Sequence, residues 1–180
     1  PAIQNQMQFV TIASTGNSID AGDLTEQSSG GSAFGSPTRG LLAGFASPIN
    51  DNIDFFNFGS TGNAQDFGEL ITASNSGDAL SSTTRGLVTG GIGSPNPYLS
   101  RIESITMATL GNGVEFGDLT AGRSMFGATS DCVRGVMIGG YISPGANTNV
   151  IDYVNIASTG NAADFGDQAT TARNAGATST

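Results

Sequence analysis

Residues Ile151 to Asp167 read I-D-Y-V-N-I-A-S-T-G-N-A-A-D-F-G-D, and the chain carries this stretch three more times in altered form. The copy at Ile53 is I-D-F-F-N-F-G-S-T-G-N-A-Q-D-F-G-E, and the copy at Ile102 is I-E-S-I-T-M-A-T-L-G-N-G-V-E-F-G-D. A worn copy at Phe9 reads F-V-T-I-A-S-T-G-N-S-I-D-A-G-D. A tandem repeat sets the architecture before any single residue does, because each unit buries its apolar surface against its neighbours.

The Gly-Asn pairs (Gly16-Asn17, Gly62-Asn63, Gly111-Asn112, Gly160-Asn161) are spaced 46, 49 and 49 residues apart. A second landmark keeps that register: Thr38-Arg39-Gly40-Leu41, Thr84-Arg85-Gly86-Leu87 and Val133-Arg134-Gly135-Val136. The period suits a four-stranded propeller blade, about 40–45 residues in WD-type and about 50 in kelch-type repeats. No stretch has the i, i+3, i+4 apolar spacing of a helical repeat, and 27 glycines argue against one.

Each repeat divides into four expected strands. The first is short: Ser32–Gly35, Asp78–Ser81, Gly127–Ser130 and Gly176–Ser179. The Arg-Gly strand follows, then a connection bearing Ser47-Pro48, Ser94-Pro95 or Ser143-Pro144. The third strand is I-D-Y-V-N-I-A and its relatives; an S-T-G-N loop leads to the fourth, F-G-D-L-T. Strands are expected at 53–58, 85–90, 102–107, 134–139 and 151–156, with no helix longer than about two turns.

On the third strand one parity holds Val154 and Ile156 (earlier Phe56 and Phe58, Ile105 and Met107, Val10 and Ile12). The other holds Ile151 and Tyr153, or Ile53 and Phe55. A strand apolar on both faces is sandwiched between two layers, as a blade is between its neighbours. The expectation is an all-β chain of tandem ~49-residue kelch-like four-stranded blades, a β-propeller or a fragment of one. It forms a single array over 1–180, with repeats of approximately 1–52, 53–101, 102–150 and 151–180.

Both terminal repeats read as incomplete, since there are four third strands and only three Arg-Gly strands. Either the two ends share one blade, or the chain is a window onto a longer array, which is the reading we favour. The opening P-A-I-Q-N-Q-M, with no basic region and no initiator Met, reads as a cut in a longer polypeptide. Incomplete ends predict weak stability, or association through open sheet edges.

The formal net charge is −9, all basic residues are arginine, and there is no histidine. Such a chain has no electrostatic footprint for nucleic acid or an anionic membrane, and no apolar run approaches the ~20 residues of a membrane span. Without histidine, Ser-His-Asp, Cys-His and His-metal sites cannot be built. Cys132 is alone, so the chain has no internal disulfide; it reads as a turn or strand residue, Arg134 being the only nearby cation to activate a thiol.

Three series of recurring residues remain. Asn63, Asn112 and Asn161, with acids three apart (Asp66 and Glu69, Glu115 and Asp118, Asp164 and Asp167), resemble a calcium loop but supply too few of the six to eight oxygens needed. The preferred reading is that asparagine closes the turn. Arg39, Arg85 and Arg134 each offer a planar fork, read as anchoring to an acidic or backbone oxygen within or between blades. The competing reading is an arginine ring that captures an anion. Phe67, Phe116 and Phe165 are expected to be buried at equivalent places, each on a third strand.

The S-T-G-N-x-x-D-F-G-D motif with T-R-G-L and the following Gly-Gly resembles the kelch-like repeats of bacteriophage virion structural and tail-fibre proteins, especially those of phages of marine cyanobacteria. It is only loosely similar to eukaryotic kelch repeats, whose tryptophan is absent. The resemblance implies a non-enzymatic propeller module in a virion tail or surface appendage, contributing to host attachment. Its implied partners are other virion proteins, further blades of the same polypeptide, or a host surface glycan or protein. It implies no catalytic residue, cofactor or metal. The alternative is a cell-surface or secreted carbohydrate-binding adhesin with the same blades, for which Tyr98 and Tyr141 are the aromatic candidates.

Overall fold

The short apolar clusters punctuated by glycine and serine fold as strands throughout. The computed structural model describes residues 3–45, 48–94 and 97–178, and contains no helix among them. The first elements are β1 (Gln4–Phe9) and β2 (Ile19–Ser28), an antiparallel hairpin across the first S-T-G-N turn. Next, β3 (Ser32–Gly35), β4 (Arg39–Ala43), β5 (Asn52–Asn57) and β6 (Gln65–Glu69) make a four-stranded antiparallel meander in chain order.

Then come β7 (Ser74–Asn75), β8 (Asp78–Ser81), β9 (Arg85–Thr89), β10 (Ile92–Gly93), β11 (Arg101–Thr106) and β12 (Val114–Asp118). Strands β8, β9, β11 and β12 form the second meander, and β7 pairs with β10 apart from it. The last stretch holds β13 (Arg123–Ser124), β14 (Gly127–Ser130), β15 (Arg134–Ile138), β16 (Tyr141–Ile142), β17 (Ala146–Asn155) and β18 (Ala163–Ala172).

Uniform four-stranded blades are not what this chain builds. Its sheets hold two, four or six strands, and one sheet curls as a half-barrel. The reason lies in β17, ten residues long, which pairs with β16 through Ala146 and Asn147, with β18 from Thr148 to Tyr153 and with β15 from Ile151 to Asn155. Two other expectations also need correction. Residues 176–178 form no strand, and Ser179 lies outside the described residues, as do Ser47 and Pro95. The worn first copy starts its strand at Gln4 and ends it at Phe9, so Val10 and Ile12 stand beyond it, exposed.

The core is two apolar clusters, each between successive meanders. The first joins Phe34, Leu41, Ile53, Phe55 and Phe67 of one to Val88, Ile105 and Met107 of the next. The second joins Leu80, Leu87, Ile102 and Phe116 to Met137, Val154 and Ile156. Strand β11 therefore gives Ile102 to one cluster and Ile105 to the other, which is why its sequence is apolar in both parities. The short strands line up beside one another, β3 against β8 and β8 against β14. Ser81 Oγ donates to the Gly35 carbonyl at 2.9 Å and Ser130 Oγ to the Ser81 carbonyl at 2.6 Å. At Gly86 and Gly135 a Cβ would collide with Phe34 and Leu80, the apolar side chains of the preceding short strand. Glycine at that landmark lets one meander nest against the next.

Candidate functional site

The residues that recur in the sequence converge on the junctions between successive repeats. The Gly-Asn turn of each repeat reaches back to the fourth strand of the one before. Gly62 N–H donates to the Ala21 carbonyl at 2.9 Å, Gly111 to Phe67 at 3.0 Å and Gly160 to Phe116 at 2.8 Å. Two residues later, Ala64, Gly113 and Ala162 donate to the carbonyls of Asp23, Glu69 and Asp118 at 2.8, 2.7 and 2.7 Å. Between these bonds, Asn63 Oδ1 accepts the amide of Asp23 at 3.1 Å, Asn112 that of Glu69 at 3.2 Å, and Asn161 that of Asp118 at 3.1 Å. The asparagines thus bridge repeats, a correction to the expectation that they close their own turns. Their side chain supplies an acceptor to an amide that the sheet edge leaves unmatched.

Glycine on the receiving strand is part of this fit. At Gly68, where φ is 149°, a Cβ would stand 2.6 Å from the Gly111 carbonyl oxygen, and at Gly22 and Gly117 it would collide with the equivalent turn. Asp20 and Asp164, two residues before Gly22 and Gly166, each accept that glycine's amide at 2.9 Å. These acids are engaged with their own backbone. Among the described residues no group of three or more His, Cys, Asp or Glu side chains is placed to hold a metal ion.

The arginines serve the same junctions. Arg39 lies over the Phe55 ring and donates to the Met107 carbonyl of the next meander at 2.8 Å. Arg85 donates to the carbonyls of Ile156 at 2.8 Å and Ala157 at 3.2 Å. Arg134 stacks over Tyr153 and is exposed, and among the described residues its guanidinium makes no hydrogen bond to another repeat. The turn that launches each arginine strand is closed by one side chain. Ser36, Ser82 and Asp131 accept the two amides ahead, those of Thr38 and Arg39, Thr84 and Arg85, and Val133 and Arg134. The Arg134 and Val133 amides hold the exposed Asp131 carboxyl below its ordinary range. Cys132, in this turn, is exposed.

Phe67 and Phe116 are each 3% exposed, whereas Phe165 is 54% exposed. Phe165 meets its own third strand edge-on through Tyr153, ring centroids 5.9 Å apart, much as Phe67 meets Phe55 at 5.8 Å. The expectation of burial fails for Phe165, since among the described residues no turn docks on its strand.

Reasoning from sequence missed the deepest polar group, the acid after the opening isoleucine of the third strand. Asp54 accepts Thr25 N–H at 2.8 Å and Thr25 Oγ1 at 2.6 Å. Asp152 accepts Thr120 N–H at 3.0 Å and Thr120 Oγ1 at 2.7 Å. It also pairs at 2.8 Å with Arg123, both side chains being essentially inaccessible. Glu103 instead takes two backbone amides, Ile71 at 2.7 Å and Thr72 at 3.2 Å. Burial raises the Glu103 pKa above its ordinary value against these two hydrogen bonds and the nearby Arg101. The signal was in the repeat itself, I-D, I-E and I-D in one register.

The repeat with the longer acid has changed around it. Where the others have Ala64 and Ala162, it has Gly113, whose Cβ would stand 2.7 Å from Glu103 Oε2. Where the others have Thr25 and Thr120, Ile71 offers only its amide.

Beside the short strands, Gly30, Ser76, Met125 and Asn174 all have positive φ, between 54° and 69°. Each of the last three donates its N–H to the carbonyl of the one before, at 2.8, 2.8 and 2.6 Å. Beside this ladder Asp78 accepts the Ala128 amide of the next repeat at 2.7 Å, and burial raises its pKa. Sequence reading had no view of this series, because its side chains differ and only the backbone recurs.

A groove of about 610 Å³ between the β1–β2 hairpin and the first meander is mainly apolar, with Met7, Leu24, Phe34, Phe56 and Phe58 among its walls. Elsewhere Tyr98 and Tyr141 pack edge to face at 5.8 Å, with Arg173 4.8 Å above the Tyr141 ring. No protein-family model and no curated protein matches the chain.

Proposed function

We propose that this chain is a repeat-built structural module, a kelch-like propeller or part of one, that serves in a phage tail or surface appendage and contributes to host attachment. The observation that carries this reading is the use of the recurrent polar residues. In the interior repeats, asparagine, arginine and the third-strand acid are all bonded to a neighbouring repeat. A module whose repeated chemistry goes into cohesion suits a load-bearing or display part. The aligned short strands and the hydrogen-bonded ladder beside them support radial repetition, since propeller blades meet at their innermost strands. The motif resemblance supplies the virion setting. Immunogold labelling of particles that carry the coding sequence tests it. Label on a tail or fibre is expected, and unlabelled particles beside labelled cell surfaces would overturn it.

The adhesin reading is favoured by one observation, the Tyr98–Tyr141–Arg173 cluster, in which two half-buried rings stand together with a cation over one of them. A glycan array on the protein and on Tyr98→Ala separates the two. Binding lost in the variant supports the adhesin.

A further inference from the structure

The outer edge of β18 repeats the receiving surface of an internal junction without its turn. Phe165, Gly166 and Asp167 stand in register with Phe67, Gly68 and Glu69 and with Phe116, Gly117 and Asp118. Gly166 has the same kind of backbone as Gly22 and Gly68, with φ of 139° against 120° and 149°. A Cβ at Gly22 or Gly68 would run into a Gly-Asn turn, whereas one at Gly166 would meet nothing within 4 Å. The Phe165 ring is open where its counterparts are covered. Arg134 lies exposed over Tyr153, where Arg85 meets a carbonyl of the following repeat.

The chain also has the complementary part unengaged. The turn Ser14-Thr15-Gly16-Asn17 is identical in sequence to Ser60–Asn63 and Ser158–Asn161, which dock through their glycine and asparagine, whereas among the described residues Gly16 and Asn17 make no such bond. Four residues before its glycine stands Ile12, 97% exposed; of its counterparts, Met107 and Ile156, whose carbonyls an arginine holds, are 2% and 1% exposed, and Phe58, which no arginine holds among the described residues, is 57% exposed.

We propose that the β18 edge is a docking surface for the Ser14–Asn17 turn of a second copy of this chain, which joins copies head to tail. Gly16 N–H then donates to the Phe165 carbonyl, Asn17 Oδ1 accepts the Asp167 amide, and Arg134 reaches the Ile12 carbonyl. Ile12 and Phe165 become buried. The occupant is a second copy because the contact continues a junction already made three times within the chain, and the required turn is present and unoccupied. The acid–threonine clasp is missing from both halves, with Gln8 where Asp54 and Asp152 stand and Ala169 where Thr25 and Thr120 stand. The contact between copies is accordingly weaker than the internal junctions. It is heterologous, so association runs to chains or rings rather than stopping at a symmetric dimer. The inference stands on the junction geometry alone and does not depend on where the protein is displayed.

Sedimentation velocity over a concentration series tests it. The unaltered chain should grow in mass with concentration, and Asn17→Ala should weaken association roughly tenfold, the loss of about one hydrogen bond. The decisive arm mixes two blocked chains, Ile12→Asp with an intact edge and Phe165→Asp with an intact turn. Each alone should stay monomeric, and the mixture should form a one-to-one complex and nothing larger. Both substitutions fall on exposed side chains, and circular dichroism checks that each variant keeps its fold. An unaltered chain that stays monomeric through the high-micromolar range would overturn the proposal. So would a mixture of blocked chains that remains monomeric while the unaltered chain associates.

Discussion

The edge of β12 and the edge of β18 begin with nearly the same sequence, E-F-G-D and D-F-G-D, yet they end in different environments. At β12 the phenylalanine is sealed, the glycine is pressed by the next turn, and the aspartate amide is held by Asn161. At β18 the same letters lie open. The difference teaches that the motif encodes half of an interface, and that burial is conferred by the neighbour that docks on it. Substitutions at the two edges should therefore diverge.

The largest divergence is expected for the aromatic ring. Phe116→Ala opens a cavity in the second cluster and should cost about 3–5 kcal/mol, while Phe165→Ala in the dilute chain should change the melting temperature little. Thermal melts of the two variants check this; equal losses would mean that the β18 ring is covered.

A loss of similar size is expected where an ion pair is broken. Asp152→Ala leaves Arg123 buried without its carboxylate, and uncompensated buried charge costs about 3–5 kcal/mol. Asp54→Ala loses only the Thr25 clasp, about 1–3 kcal/mol, because no arginine is paired with Asp54. Chemical denaturation of the two variants should rank them in that order.

Glycine gives a controlled pair. Gly68→Ala and Gly166→Ala carry similar backbone strain, but only the first pushes a Cβ against a docked turn. The excess cost at Gly68 should be about 1–3 kcal/mol, the usual range for overpacking. The Glu103–Gly113 pair sharpens the point. Gly113→Ala alone should destabilise, and adding Glu103→Asp should recover part of the loss, a coupling that a double-mutant cycle measures.

The smallest effect concerns pH. Burial raises the pKa of Glu103 and Asp78, so the folded chain holds these protons more tightly than the unfolded one. Their contribution to stability is greatest below the ordinary carboxylate range and is lost as pH rises through the raised values. Lowering the pH through the raised values should therefore raise the melting temperature slightly, and Glu103→Gln should blunt the rise. Asp131, held low, acts the other way and only below that window.

How much of this was legible can be judged residue by residue. The strands were readable because alternation and turn residues are local signals, and Arg85–Thr89 lies within the expected 85–90. The two-faced third strand was readable because burial on both sides leaves an apolar mark in both parities. The role of Asn112 was not, since a Gly-Asn pair looks alike whether its side chain turns inward or bridges to another repeat. The third-strand acid was overlooked because a lone carboxylate among apolar residues looks like a solvated position, and its partner Thr120 lies 32 residues away. The hydrogen-bonded ladder left no trace in side-chain identity, as Gly30, Ser76, Met125 and Asn174 share only a backbone conformation.

Amide hydrogen exchange on the dilute chain tests the central claim most directly, because it reads the internal junctions and the open edge in one sample. The amides of Glu69, Asp118, Gly111 and Gly160, each bonded across a junction, should exchange only on unfolding of the repeats. The amide of Asp167, in the same register on β18, should exchange far faster. Equal protection of Asp118 and Asp167 in a monomeric sample would contradict the account.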